Sequence, residues 1–417
     1  MRTSRRSLLR SAGLAAAVAS QGLRGDDSAA SGSHFQPWKQ GGLEIHHIST
    51  GRGNATLAIL PDGTTVMVDT GAIYGSSAYL IDPKPDDSRR PGEWVGRYVR
   101  RHLSAAGLDA VDCFLTTHLH GDHIGYLSPT CPAAPGRDYR LTGVSDVAAL
   151  VDCRRFIDRG WPDYNYPSAL NEDFQLNYRS FLVSAASRGV KVERFRPGAS
   201  DQFGLARNPA RYPEFEIRNL AVNGEVWTGA GNAAIERYPE LSKLKPEDYP
   251  VENGCSAALR LTYGKFRYYT GGDLMADTRY GRDPWRDIES PVAQVCGHVS
   301  VAVANHHGHY NANGPAFIRS VRPRAFIIAA WDSLHPSAST LAAMFSKDLY
   351  LEPRDGFATA IKPENKIANR RIADLKSTGG HTIVRVAPGG SSFGILILDN
   401  ADESDRVTAV FGPYDSA

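Results

Sequence analysis

The sequence predicts an α/β fold, and three observations predict it. A stretch with helical spacing at 93–106, apolar at Trp94, Val95, Val99, Leu103 and Ala106, separates a strand at 65–69 from another at 111–115. The strands at 111–115, 266–270, 299–304 and 325–330 each run into polar, metal-compatible residues. Functional side chains gathered at the C-terminal ends of strands are characteristic of α/β sheets. Finally, 382–387, 393–398 and 407–411 read as an antiparallel meander at the edge of a sheet.

With 417 residues, 42% of them hydrophobic and 22% charged, the chain is an ordinary soluble globular protein able to bury a large core. A net charge of +2 excludes a generally polybasic nucleic-acid binder, although a local basic groove would not register in that total. Residues 1–41 are set apart. Ser4-Arg5-Arg6-Ser7-Leu8-Leu9-Arg10, the weakly apolar 12–19 and the small-x-small Ala17-Val18-Ala19 resemble a twin-arginine export signal, too short to span a membrane. Residues 20–41 then read as a flexible leader to a domain that begins at residue 42. This implies a periplasmic or secreted protein with no transmembrane anchor once the signal is removed. The five cysteines include no Cys-x-x-Cys, so they form neither a zinc ribbon nor a dense disulfide framework. Cys113 and Cys296 sit in apolar runs and read as core, and Cys131 with Cys153 is the one pair that could bridge.

Strands at 43–48, 55–60 and 65–69 open the domain, with Pro61-Asp62-Gly63 as a hairpin turn between the last two. Asp69 ends the third of these strands. A buried acid there needs a partner, so it either supports a metal ligand or caps the next turn. After the strand at 111–115 comes Thr116-Thr117-His118-Leu119-His120-Gly121-Asp122-His123, with a helix expected to start at 124–127. His118 and His120, two apart on extended chain, project to one side, while Asp122 and His123 turn the other way. Imidazole and carboxylate at this density are unsatisfied without a cation, so the loop reads as a metal site.

Residues 130–250 read as an insertion, with helix-like stretches at 147–156 and 173–187 and a strand at 215–222. The aromatic loop 159–167 is either one wall of a cleft or packing that anchors a surface excursion. Residues 229–247 form a polar excursion. Strands return at 257–263 and 266–270, ending in Gly271-Gly272-Asp273. The strand at 299–304 ends in Asn305-His306-His307-Gly308-His309, and that at 325–330 in Trp331-Asp332-Ser333-Leu334-His335-Pro336.

Taken in order, Val68-Asp69-Thr70-Gly71, the His118-x-His120-x-Asp122-His123 loop, Gly272-Asp273 and His306-His307-Gly308 resemble the metallo-β-lactamase fold superfamily, from residue 43 onward. Gly51-x-Gly53-Asn54, Asn253-x-x-Ser256, the His-His-Gly and His335-Pro336-Ser337 make the likeness greater to the hydrolase domain of ComEC-type DNA-uptake proteins and their free-standing relatives. Gly51-Arg52-Gly53-Asn54 departs from that group's usual Gly-Gln-Gly-Asp, and no membrane-channel segment accompanies the domain. The resemblance implies a four-layer αββα sandwich. It also implies a dinuclear site in which His118 and His120 hold one metal, Asp122, His123 and His307 the other, and Asp273 bridges them. One departure affects the site: residues 124–272 contain no histidine, where superfamily members commonly supply another ligand. Either water or a non-histidine group such as Asn253 completes the first set, or His306 swings in from the opposite side, or that metal is weak and the enzyme works mainly with one ion.

Neutral imidazoles with a shared carboxylate suit two Zn²⁺, and Mn²⁺ or Fe²⁺ accept the same N/O set. Two such ions would turn a trapped water into hydroxide near neutral pH, with Asp122 held in the site and His306, His309 or His335 as proton donor to the leaving group. The expected function is an exported metal-dependent hydrolase, and the ComEC-type resemblance implies phosphodiesters as its substrates, a nucleic acid or a small molecule among them. A β-lactamase or lactonase, an iron oxidoreductase and a non-catalytic metal-binding protein are the alternatives.

Overall fold

The computed structural model describes residues 31–417; the expected export signal lies outside the described residues. The described residues form two large β-sheets packed face to face, with helices on both outer surfaces. This is the four-layer αββα sandwich that the resemblance implies.

The first sheet runs in the order Val407–Asp415, Ser392–Leu398, His381–Val386, Leu43–His47, Ala55–Ile59, Thr65–Thr70, Cys113–Leu115, Arg155–Asp158 and Lys191–Arg194. It is antiparallel as far as Thr65–Thr70 and parallel beyond. The second sheet runs Ala234–Glu236, Glu225–Trp227, Phe215–Val222, Ala258–Tyr263, Phe266–Thr270, Val301–Val303, Ala325–Ile328 and Asp355–Ala358. It likewise turns parallel after Phe266–Thr270. The parallel halves bring the C-terminal ends of their strands to the site.

Between the sheets, Val66, Val68 and Leu115 of the first form one core with Leu259, Leu261, Val301 and Ile327 of the second. On the outer face of the first sheet, Leu57, Met67 and Phe114 pack against the helices Pro91–Ala105, Val144–Leu150 and Asp173–Ser187. Helices Glu289–Cys296, Pro315–Val321 and Ala338–Met344 cover the second sheet. Strands buried on both faces lose the alternation of a half-exposed strand, which is why Leu43–His47 and Thr65–Thr70 are buried at every position. In Pro91–Ala105, Val95, Tyr98, Val99, His102 and Leu103 form the inward stripe. On its other side Arg97 and Arg101 pair with Glu403 and Asp405 of the closing hairpin.

Several expectations are corrected. The strand at 111–115 breaks at Asp112, whose carboxylate accepts hydrogen bonds from Thr65 N and Oγ1. Ala110–Val111 therefore pairs with Asp152–Cys153 in a separate ribbon, and only Cys113–Leu115 joins the main sheet. The helix expected at 147–156 is Val144–Leu150, because Phe156 is needed beside Phe114 in the sheet. The helix expected from 124 is instead the single turn Gly121–Ile124, closed by Gly125 at φ +99°. Residues 130–250 supply strands to both sheets, and the polar excursion contains the edge strand Ala234–Glu236. All five cysteines are free thiols: the Cys131 sulfur accepts from Ser128 N and the Cys153 thiol donates to Val151 O. Within the segment read as a flexible leader, Phe35 N bonds to Asp405 O and Gly41 N to Pro61 O. Among the described residues, no helix is long and apolar enough to cross a membrane.

Where Pro91–Ala105 meets the meander, His46, His102 and His381 are buried around Tyr98, with His46 and His102 ring centroids 4.9 Å apart. Burial pulls His102 down to about 4, despite its hydrogen bond to Asp405, and His381 down to about 3. The unfolded chain takes up a proton at each near pH 6.5, whereas the folded one does so only near those lower values. The stability these rings contribute above pH 6.5 is therefore lost as pH falls toward 4. For one such ring the loss at pH 5 is on the order of 2 kcal/mol. Urea unfolding of wild type and His102→Gln should show the gap between them narrowing by that amount from pH 7 to pH 5; a constant gap contradicts it.

Candidate metal centre

Five loops at the parallel edge of the sandwich build the centre, each following a strand. Asp69, at the end of Thr65–Thr70, has a left-handed backbone (φ +60°) that an aspartate tolerates. Its carboxylate is fully buried. Oδ1 accepts from Thr117 N at 2.7 Å, and Oδ2 accepts from Thr117 Oγ1 at 2.8 Å, from Asn54 Nδ2 at 3.2 Å and from His123 Nδ1 at 2.7 Å. Of the two roles open to it, Asp69 takes that of supporting a candidate ligand: it fixes the tautomer of His123 and aims Nε2 into the centre. His307 is set in the same manner, its Nδ1 donating to Ala329 O at 2.9 Å.

Nε2 of His123 then lies 3.3 Å from Nε2 of His307, 3.2 Å from Asp273 Oδ1 and 3.5 Å from Asp122 Oδ2. His307 Nε2 is 2.9 Å from Asp122 Oδ2 and 3.5 Å from Asp273 Oδ1. Four donors around one tetrahedral zinc, with bonds of about 2.0–2.1 Å, are separated by about 3.3–3.4 Å. The second group is His118, His120 and Asp273, whose donor atoms all lie within 4.8 Å of one another. His118 Nε2 is 3.2 Å from His120 Nδ1 and 3.6 Å from Asp273 Oδ2. Asp273 thus turns one oxygen to each group.

The chemistry of the donors fits divalent cations. Asp122 and Asp273 are buried, which by itself opposes ionisation, yet His123 and His307 hold both well below the usual carboxylate range. Against the same burial, Asp273 and Asp122 hold His123 well above the ordinary histidine value and His307 at about 9. Without an ion, imidazolium protons are what balance the acids; an ion in each group satisfies the same lone pairs.

Close packing of backbone fixes the loop. Gly71 N donates to Asn54 O and Asn54 N to Asp122 O, each at 2.8 Å. A Cβ on Gly71 would stand 1.9 Å from Asp122 O, so the Asp-Thr-Gly needs its glycine for approach. Gly272 has φ +54° and abuts Thr117, and Ser256 Oγ accepts from Asp273 N at 3.1 Å.

The remaining expected residues are placed as follows. His335 is buried, its ring 4.9 Å from that of His307 and its Nδ1 without a partner. Burial and the neighbouring His307 hold it well below the ordinary histidine value, so it is neutral. His306 and His309 share Asn311 Oδ1, at 2.7 and 3.1 Å. The aromatic loop packs inward: Tyr164 is buried and donates to Asp158 Oδ2 at 2.6 Å, and Trp161 joins the same core.

Two supports were not foreseen. Arg159, fully buried, is paired through Nε and Nη2 with both oxygens of Glu252, and Glu252 Oε1 accepts from Leu119 N at 2.7 Å, the amide between His118 and His120. Arg159 also donates to Tyr166 O and Asn223 Oδ1. Glu289 accepts from Asn305 Nδ2, Asn313 N and Gly314 N, bracing the loop that carries His306 and His307. The one local signal was the position of Glu252 beside Asn253; the partners themselves are distant in sequence.

Replacing Asp69 with Asn removes the acceptor charge behind His123 and should weaken metal binding about 10- to 100-fold, as measured by competition with a chromophoric chelator. Arg159→Met leaves Glu252 buried without its cation and should cost about 3–5 kcal/mol in urea unfolding. An unchanged midpoint would show that the pair carries no such weight.

A scan against models of known protein families finds no match, and a search among curated proteins finds none either. Among solved structures, the chain is similar to a variant of CmlA β-hydroxylase, at 10% identity over 83% of this chain and 54% of that one, with a TM-score of 0.38. It spans about half the length of that protein. It is also similar to the hydrolase AbOPH, described as in the beta lactamase superfamily, at 14% identity over 63% of this chain and 84% of that one, with a TM-score of 0.29. At TM-scores this low neither match supports an argument about this chain, and the functional reading rests on its own residues.

Proposed function

We propose that this chain is a metal-dependent hydrolase with a two-ion centre, acting on phosphodiesters outside the cytoplasm after twin-arginine export. The observation that carries the hydrolase reading is the split of Asp273, with Oδ1 toward His123 and His307 and Oδ2 toward His118. One carboxylate shared by two donor groups is how a protein holds two cations at a separation suited to hydrolysis. Cations bound there supply Lewis acidity and lower the pKa of water.

The chain's own part is to hold and orient. His118, His120, Asp122, His123, Asp273 and His307 are the ligand set, and Asp69 and Ala329 O fix two of the imidazoles. His309, its ring 6.0 Å from that of His335 at the loop edge, is placed to give a proton to a leaving group, and neutral His335 packs between it and His307. The phosphodiester assignment rests on the sequence likeness to ComEC-type domains, and export on the paired arginines at the N-terminus.

The test is a comparison of substrates. Protein reconstituted with Zn²⁺ or Mn²⁺ should hydrolyse bis(p-nitrophenyl) phosphate in preference to nitrocefin. Asp122→Ala and Asp273→Ala should each lose at least about a hundredfold, since supporting residues alone are worth 10–100-fold. Preference for nitrocefin would assign a lactam substrate, and metal-loaded protein that turns over neither would reduce the centre to a binding site.

A further inference from the structure

The two donor groups are unequal. Among the described residues, Asp122, His123 and His307 join Asp273 on one side, whereas only His118 and His120 join it on the other. Two side chains border the smaller group, Asn253 and His306. His306 follows the strand Val301–Val303, and its backbone lies in the left-handed region at φ +48°. Its Nδ1 faces Asn311 Oδ1 at 2.7 Å. An amide oxygen can only accept, so the ring proton sits on Nδ1 and Nε2 carries the lone pair. That Nε2 stands 3.7 Å from Asp273 Oδ2, the same oxygen that lies 3.6 Å from His118 Nε2. Ligands sharing a tetrahedral zinc are about 3.3–3.4 Å apart, so His306 is within a few tenths of an ångström of a ligand's distance from the bridging acid. It is outside the trio whose atoms are mutually within 4.8 Å, so the ring must move toward His118 and His120 to join them.

Asn253 Nδ2 meets the same Nε2 at 3.2 Å, and Asn253 Oδ1 is buried without a partner. The amide donates to the imidazole lone pair where a cation would otherwise take it.

We propose that His306 is the third histidine of the His118, His120 and Asp273 group, entering from the second sheet in place of the histidine missing from residues 124–272, and that the Asn253 amide occupies its lone pair only until an ion takes it. The proposal rests on the metal-centre reading. It makes His306 a ligand instead of a proton donor and leaves His309 for that role.

The experiment titrates metal-free protein with Zn²⁺ against a chromophoric chelator, and with Co²⁺ followed by its visible absorption, for wild type, His306→Gly and Asn253→Ala. Glycine removes the imidazole and eases the positive φ, so the fold is preserved, which thermal melting by circular dichroism verifies. His306→Gly should keep one equivalent at wild-type affinity, bind the other at least about tenfold more weakly and alter the Co²⁺ spectrum, while Asn253→Ala should keep both within about threefold. His306→Gly titrating as wild type overturns the proposal. Loss of the equivalent in Asn253→Ala instead assigns the ligand to the amide and also overturns it. Wild type that takes up no metal overturns the metal-centre reading itself, and the proposal with it.

Discussion

The interior of this protein holds two ionised carboxylates, Asp122 and Asp273, largely withdrawn from bulk water, and much of the surrounding structure compensates for that. Two imidazoles face both acids from the second- and first-sheet loops, and each imidazole is itself pinned from behind, His123 by Asp69 and His307 by a main-chain carbonyl. Removing water from a charge is tolerable only when every lone pair has a partner. The network therefore reaches outward through Asn54, Thr117 and Ser256 until it meets main chain.

That requirement explains the form of the sandwich at this edge. Parallel strands deliver their C-terminal ends to a common rim, and the rim is where chain can leave a sheet without breaking a ladder. Glycines at Gly71 and Gly272 let main chain approach main chain there, and Asp69, His306 and His307 accept left-handed backbone to turn their side chains inward. Backbone strain of this kind gathers where geometry is fixed by something other than local preference.

Much of this was legible in the sequence. The donors His118, His120, Asp122, His123, Asp273 and His307 stand out because imidazole and carboxylate cluster at strand ends; the order of strands and helices implied an α/β fold, and the four layers came from the family resemblance. What escaped was whatever depended on distant pairing. Arg159 and Glu252 are 93 residues apart, so no periodicity links them, and each alone reads as an ordinary charged residue. Asp112 interrupts a strand because Thr65, on a neighbouring strand, offers it two donors. The stretch at 147–156 carries enough helix-favouring residues to hide that Phe156 belongs beside Phe114. In each case a tertiary partner outweighs a local preference.

The donors come from both sheets, with His307 184 residues beyond His123. A chain emerging from the ribosome has the histidine loop early, but the Asp122 and His123 group is incomplete until Val301–Val303 docks beside its neighbours. An ion held by all four donors would clasp the two halves of the sandwich together, and its uptake would then mark finished folding.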